Sequence, residues 1–208
     1  FASDQTRPQF EDPKGPNYTT IEASNNAVLT YHYDPKGNVR PWDRTLYIKV
    51  VRGFLRAGDK ITITFGDRSG GSPGMRLQTF CEDSYEFHTL IDPIATYCYQ
   101  PMPVQPVIKI IPGKPDRYLA VAPTIRAIDE SFSIKFKGED KWGNPSDQCD
   151  IKLYPRASHP VKNLPDMISL KPGEFFGVID GLSVGDAADL HIDFLDDAGA
   201  LMCRTNPI

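Results

Sequence analysis

The stretch 45-TLYIKVV-51 decides the fold class, because its side chains alternate between two faces along its whole length. Leu46, Ile48 and Val50 share one face, which is the period-two pattern of a half-buried β-strand. The stretch 60-KITITF-65 repeats this alternation after a short turn. No helical spacing of apolar residues is sustained over three turns around these stretches, so the pattern predicts β-structure.

Further strand candidates extend from this pair in both directions. Turn-forming residues recur roughly every 8–12 positions, the spacing typical of β-sandwiches. The 19 prolines and 16 glycines are spread along the chain, which favours many turns between short strands. The other candidate strands are 27–33, 75–80, 85–91, 96–99, 104–111, 118–121, 131–137, 149–154, 175–179, 188–195 and 201–204.

A stiff segment, 112-PGKP-115, predicts the domain boundary. The 208 residues are enough for one large domain or for two of about 100 residues each. We therefore expect an all-β protein with two consecutive sandwich domains, residues 1–111 and 112–208.

Composition excludes several classes of partner. The net charge of −4 argues against a nucleic acid or an acidic membrane surface, both of which favour a basic face. No apolar run reaches the about 18 residues that a membrane-spanning helix needs. The first seven residues lack a signal-peptide pattern, so a targeting segment of an exported protein would be removed or lie outside this sequence.

Four cysteines are present, and none has zinc-ligand spacing. Four cysteines allow three disulfide connectivities. We favour one bridge within each half, Cys81–Cys98 and Cys149–Cys203, which would suit an oxidising compartment. The alternative is four free thiols in a cytosolic protein.

The second half resembles the bacterial immunoglobulin-like repeats of cell-surface and secreted proteins. The matching residues run from Pro112 to Pro123, continue at 130-ESF-132 and end in 139-EDKWGNP-145. In the last of these, Gly143-Asn144 suits a left-handed turn.

The first half carries a more specific pattern, 38-NVRPWDRTL-46 followed by 65-FGDRSGGSPG-74 and 78-QTF-80. With the second half, it resembles the N-terminal region of a bacterial family of uncharacterised proteins. In that family, β-sandwich domains precede a larger metallohydrolase-like domain of the polymerase-and-histidinol-phosphatase (PHP) type. The resemblance spans about residues 8–208 and implies two immunoglobulin-like sandwiches, with 204-RTNPI-208 as the link to the larger domain.

The resemblance also implies that the metal ligands belong to the larger domain, beyond this sequence. His191 and Asp193 would share one strand face, but without clustered partners. We therefore expect no cofactor, no metal site and no catalytic residue in this chain.

The glycine-rich loop 66–74 is the leading candidate for binding. Its backbone N–H groups, near Gly70 and Gly71, suit an anion-binding nest to which Arg68 would add a charged hydrogen bond. The loop lacks the ending of a phosphate-binding P-loop. Alternatively, Asp67 and Arg68 pair or cap the loop, and the glycines allow tight turning beside a neighbouring domain.

Two acidic groups are weaker candidates. The residues Glu82, Asp83, Glu86 and His88 suggest a cation or acid–base site, or else simply a solvated strand face. The aspartates between 186 and 197 suggest calcium binding, but 196-DDAG-199 is typical of a hairpin turn.

Aromatic residues offer a third candidate site. Trp42, Tyr47, Tyr97 and Tyr99 would suit stacking on sugar rings, or would fill the core or the interdomain joint. We favour the core for Trp42, which precedes a strand.

The sequence thus predicts a non-catalytic module of a secreted, periplasmic or cell-surface protein. It would dock, cap or position a metallohydrolase-like domain or partner chain through a surface around the 66–74 loop. The alternatives are an independent module that binds glycans or a scaffold protein, and an enzyme with a metal near Glu82.

Overall fold

The computed structural model describes residues 4–40 and 42–208. Over these residues the chain forms β-strands and no helix, which confirms the predicted all-β class. The described residues therefore contain no helix long and apolar enough to cross a bilayer. The strands are β1 (Thr19–Ala23), β2 (Val28–Asp34), β3 (Thr45–Arg52), β4 (Ile61–Phe65), β5 (Glu82–Glu86), β6 (Leu90–Ile91), β7 (Gln100–Pro101), β8 (Val107–Ile110), β9 (Arg117–Val121), β10 (Phe132–Glu139), β11 (Ile151–Ala157), β12 (Ile168–Leu170), β13 (Gly177–Leu182), β14 (Ile192–Leu195) and β15 (Leu201–Arg204).

The chain divides into two compact units. The first contains the described residues up to Thr79 together with Ser84–Ile108, and the second contains Phe80–Asp83 and Lys109–Ile208. Strands β5 and β8 therefore each carry the chain from one unit into the other. The domain ranges 1–111 and 112–208 stay a prediction.

The first unit is built from two-stranded antiparallel sheets. The two stretches that predicted the fold belong to different sheets: β3 pairs with β2, and β4 pairs with β1. A third sheet joins β6 to β7. Apolar burial is sparse, since Ile21 and Tyr85 are the buried hydrophobic side chains among the described residues of this unit.

The second unit has a continuous apolar core. A three-stranded antiparallel sheet, in the order β13-β10-β9, and a four-stranded one, β12-β11-β14-β15, both contribute to it. Phe136 of β10 stacks on Phe194 of β14 with ring centroids 6.1 Å apart. The inward residues of β10 alternate along the strand, and Phe132, Ile134 and Phe136 are all buried.

The 139–145 turn joins three segments of the second unit through one buried carboxylate. Asp140 is 4% exposed and accepts hydrogen bonds from the backbone amides of Gly113, Trp142 and Asn144. The Asn144 side chain donates to both carboxylate oxygens, and its own oxygen accepts from the Cys81 amide at 3.0 Å. Gly143 closes the turn with a φ of 89°.

The predicted disulfides are not formed, since all four cysteines are free thiols. For Cys149 and Cys203 the strand register gives the reason. Cys203 lies opposite Phe194, which lies opposite Pro155. Cys149 precedes Ile151, so it lies beyond the end of β11 that is farther from Pro155. The strand from Ile151 to Pro155 alone spans about 13 Å. A disulfide needs Cα atoms within about 7 Å, so Cys149 lies too far from Cys203 to form one.

The Cys81–Cys98 bridge is absent as well. Cys81 belongs to the short segment that joins the second unit, where its amide is held by Asn144, whereas exposed Cys98 belongs to the first unit. Burial raises the pKa of the Cys203 thiol to about 11, so that thiol stays protonated at neutral pH.

Replacing Asp140 with Asn should lower the free energy of unfolding by about 2 kcal/mol at neutral pH. Burial raises the pKa of Asp140, but hydrogen bonds from Asn144, Gly113 and Trp142 outweigh it and lower the pKa from 3.8 to about 2. This stabilisation is present above pH 3.8 and is lost as pH falls toward 2. Denaturant titrations at several pH values in this range should show that the free energy of unfolding falls less on acidification for Asp140→Asn than for the parent chain.

The exposed Asp166 provides a matched control, because Asp166→Asn makes the same charge change in the same unit. Equal pH profiles for Asp140→Asn and the parent chain would contradict the role given to Asp140.

Candidate functional site

The glycine-rich loop forms hydrogen bonds within itself and with the N-terminal segment. Asp67 accepts from the Ser69 amide at 2.9 Å and from the Thr20 hydroxyl at 2.8 Å. These hydrogen bonds hold the pKa of Asp67 below its usual value, and the bond from Ser69 has the largest effect. Residues 17 and 18 pair with the two ends of the loop, through the bonds from the Asn17 amide to the Gly74 carbonyl and from the Asp67 amide to the Tyr18 carbonyl.

The anion nest therefore lacks several of its expected donors. The amides of Asp67, Ser69, Gly71 and Gly74 all donate to acceptors within the protein. Arg68 is exposed, and its guanidinium lies against Gly74. This geometry favours the alternative in which Asp67 caps the loop, while the glycines serve tight turning.

The glycines of the loop lie against neighbouring backbone. Gly66 has a φ of 65°, and a Cβ there would lie 2.4 Å from the Met75 amide nitrogen. Gly70 lies against Pro13, where a Cβ would meet the proline ring at 2.6 Å. At these two positions the structure leaves no room for a side chain.

Trp42 lies on the surface, so its predicted place in the core is wrong. Its side chain is 51% exposed, and its ring lies 5.3 Å from that of His88, centroid to centroid. The His88 Nδ1 lies 3.4 Å from a carboxylate oxygen of Glu86. An aromatic face beside an imidazole and a carboxylate suits a polar ring ligand, because such a ligand needs both a flat apolar contact and hydrogen bonds.

The other predicted aromatic residues have separate roles. Tyr47 stacks on His32 at 4.9 Å and donates its hydroxyl to the Gly37 carbonyl at 2.7 Å. Tyr97 and Tyr99 are exposed on the loop that follows β6. Among the described residues, no ring contact joins Trp42 to any of these three tyrosines.

The acidic candidates are engaged in ion pairs and turns. Asp83 pairs with Lys109 at 2.8 Å, and Asp193 pairs with Arg204. Asp196 caps the 196–199 hairpin turn, which confirms the structural explanation of that motif. Across the described ranges, no three His, Cys, Asp or Glu side chains come together in a way that would hold a metal ion.

Sequence reasoning missed how many large apolar side chains are exposed among the described residues. Strongly exposed apolar side chains include Val39, Phe54, Ile94, Tyr97, Val104, Val121, Ile125 and Phe176.

Replacing Gly66 with Ala should destabilise the first unit by about 2–4 kcal/mol, because the change adds a backbone clash to a left-handed φ. The matched control is Gly58→Ala. Gly58 has a φ of 95° but no atom within 4 Å of the added Cβ, so only the conformational cost of about 1–2 kcal/mol applies. Chemical denaturation of both variants measures the difference. Equal losses would show that the loop is free to move away from Met75.

Comparisons with protein-family models, with curated proteins and with solved structures found no match for this chain.

Proposed function

We propose that this chain is a non-catalytic pair of immunoglobulin-like β-sandwich domains that docks, caps or positions a PHP-type metallohydrolase-like domain or partner chain. In this proposal the protein works in the periplasm, at the cell surface or after secretion, as the resemblance of its sequence implies. The partner is a protein, since the net charge of −4 offers little attraction to nucleic acid.

The sandwich assignment is supported by the second unit. Its two antiparallel sheets share a single apolar core, which is the arrangement that a sandwich requires. For the first unit the assignment rests on the sequence resemblance, because its strands form separate pairs.

The uncovered apolar surface is the observation that carries the docking role. Soluble monomers rarely leave large apolar patches open to water, and such patches mark sites of association. Large apolar side chains are exposed in both units, among them Phe54, Val104 and Ile125. The first unit in particular buries few apolar side chains, so covering its surface would stabilise it.

The non-catalytic role is supported by what the candidate residues already do. Several amides of the glycine-rich loop already donate to acceptors within the protein, and the acidic side chains near Glu82 include an ion pair, Asp83 with Lys109. Chemistry would then depend on the partner domain. The chain itself would supply shape and an apolar contact surface.

Purification from the natural source should recover these residues together with a metal-carrying polypeptide, in the same chain or tightly bound to it. Metal analysis and the denatured and native masses measure this. The 208-residue chain alone should hold less than one equivalent of metal. A free chain of 23.2 kDa without a bound partner, or a full equivalent of metal on that chain, would contradict the proposal.

A second candidate function, glycan binding, is favoured by the exposed ring of Trp42 beside His88 and Glu86. Stacking on a sugar should change the fluorescence of Trp42 as soluble envelope glycans are added. Trp142→Phe removes the only other tryptophan and so isolates the signal. Calorimetry on Trp42→Ala should then show lost binding. A fluorescence signal that stays constant at saturating glycan would rule this function out.

A further inference from the structure

The segment 49-KVVRGFLRAGDK-60 concentrates positive charge within the first unit. It runs from the end of β3 to the start of β4 and is called here the cationic loop. Residues 24–28, which hydrogen-bond to it, carry no charge. Asp59 is the single carboxylate of the loop, and four exposed side chains are cationic: Lys49, Arg52, Arg56 and Lys60.

None of these four cations forms a salt bridge within the part of the chain that the structure describes. The salt bridges found there engage other lysines and arginines, such as Lys109 and Arg117. The Asp59 carboxylate instead accepts hydrogen bonds from the Arg56 amide at 2.7 Å and from the Asn25 side chain at 2.8 Å. The cationic side chains are therefore available to anionic groups outside the protein.

An apolar tip lies between these cations. Residues 51–58 are exposed without interruption, so the loop is convex here. Phe54 is 63% exposed, and Val51 and Leu55 are exposed as well. The Arg56 guanidinium lies 5.0 Å from the centre of the Phe54 ring, so positive charge and apolar surface adjoin one another.

Backbone groups of the tip are already hydrogen-bonded within the protein. The Asn25 side chain donates to the Phe54 carbonyl at 2.7 Å. The Arg56 amide donates to the Asp59 carboxylate, and the Arg56 carbonyl accepts from the Asp59 amide at 3.0 Å. Because an unpaired backbone group is costly away from water, these bonds favour entry of the tip into an apolar environment.

Together these features restrict the partner. A nucleic acid would match the cations, but it offers mainly phosphate and sugar groups to the aliphatic side chains of Val51 and Leu55. A protein would need an apolar hollow with an acidic rim to receive a convex tip. An anionic bilayer offers phosphate groups and hydrocarbon everywhere on its surface, and long cationic side chains reach the first while apolar ones enter the second.

The net charge of −4 argues against an acidic membrane surface only where a chain lacks a basic face. The cationic loop is such a face. Attraction to a charged surface falls off over about 10 Å at 0.1 M salt, so the charges that lie next to the bilayer dominate.

We infer that the cationic loop is a peripheral membrane-binding site. Phe54 and Leu55 insert into the interface of an anionic bilayer, and the flanking cations contact lipid phosphates. This role goes beyond the docking proposal, because it concerns where the chain is held rather than which enzyme domain it supports.

Co-sedimentation of the 208-residue chain with lipid vesicles tests the inference. The chain should bind vesicles made of equal parts phosphatidylcholine and phosphatidylglycerol, and should bind pure phosphatidylcholine vesicles far more weakly. Higher ionic strength should weaken binding to the mixed vesicles. Phe54→Ala should lower the partition coefficient by roughly 10-fold, and the double variant Arg52→Gln, Arg56→Gln by roughly 30-fold.

Two matched controls lie in the second unit. Phe176→Ala removes the same ring from a side chain of similar exposure, 62%. The double variant Lys152→Gln, Lys171→Gln makes the same change in net charge at exposed positions. Both controls should bind the mixed vesicles as the parent chain does. All the substituted side chains are exposed, so the temperature of unfolding should change little.

Failure to bind the mixed vesicles would overturn the inference. Binding that Phe54→Ala leaves unchanged would also overturn it, because the tip would then not insert. Polyglutamate and a DNA duplex provide anions without hydrocarbon. If the chain binds either of them as tightly as it binds the mixed vesicles, the loop serves an acidic protein or a nucleic acid, and the membrane role is wrong.

Discussion

The buried carboxylate of Asp140 is the constraint on which the second unit depends. Almost fully removed from water, it must be matched by hydrogen bonds, since an unpaired buried charge costs several kcal/mol. Gly113, Trp142 and Asn144 supply those bonds, and they come from two segments of the chain. The Asn144 side chain also accepts a hydrogen bond from the Cys81 amide, which ties residues 80–83 to the rest of the second unit.

The two units differ in how many apolar side chains they bury. In the second, inward residues of two sheets form a continuous apolar core around Phe136 and Phe194. In the first, polar residues such as Thr19, Ser72 and Gln78 are buried beside few apolar ones. Hydrogen bonds contribute only about 1 kcal/mol each, so the first unit has less to gain from its own interior.

Alternation and turn chemistry predicted most of the strands, because both are local properties of the sequence. The pattern at 45–51 and 60–65 identified β3 and β4, and 139–145 identified the Asp140 turn. Non-local features could not be read in this way. Spacing along the chain placed Cys149 and Cys203 in one half, but the register of β11, β14 and β15 separates them. Trp42 lies on the surface beside His88, which is 46 positions away in sequence, so local patterns could not predict this contact.

The candidate site shows why residue types alone gave the weaker prediction. Glycines at 66–74 fit an anion nest and a tight turn equally well, and only the hydrogen bonds of Asp67 and Asn17 distinguish the two. Once those amides are engaged, the loop offers little to a ligand beyond the exposed side chain of Arg68. The loop between β6 and β7 shows a different case, in which Asp92 accepts hydrogen bonds from backbone amides while the apolar side chains of Ile94 and Tyr97 are exposed. In both loops an aspartate occupies backbone amides, so the exposed side chains are what the loop presents at its surface.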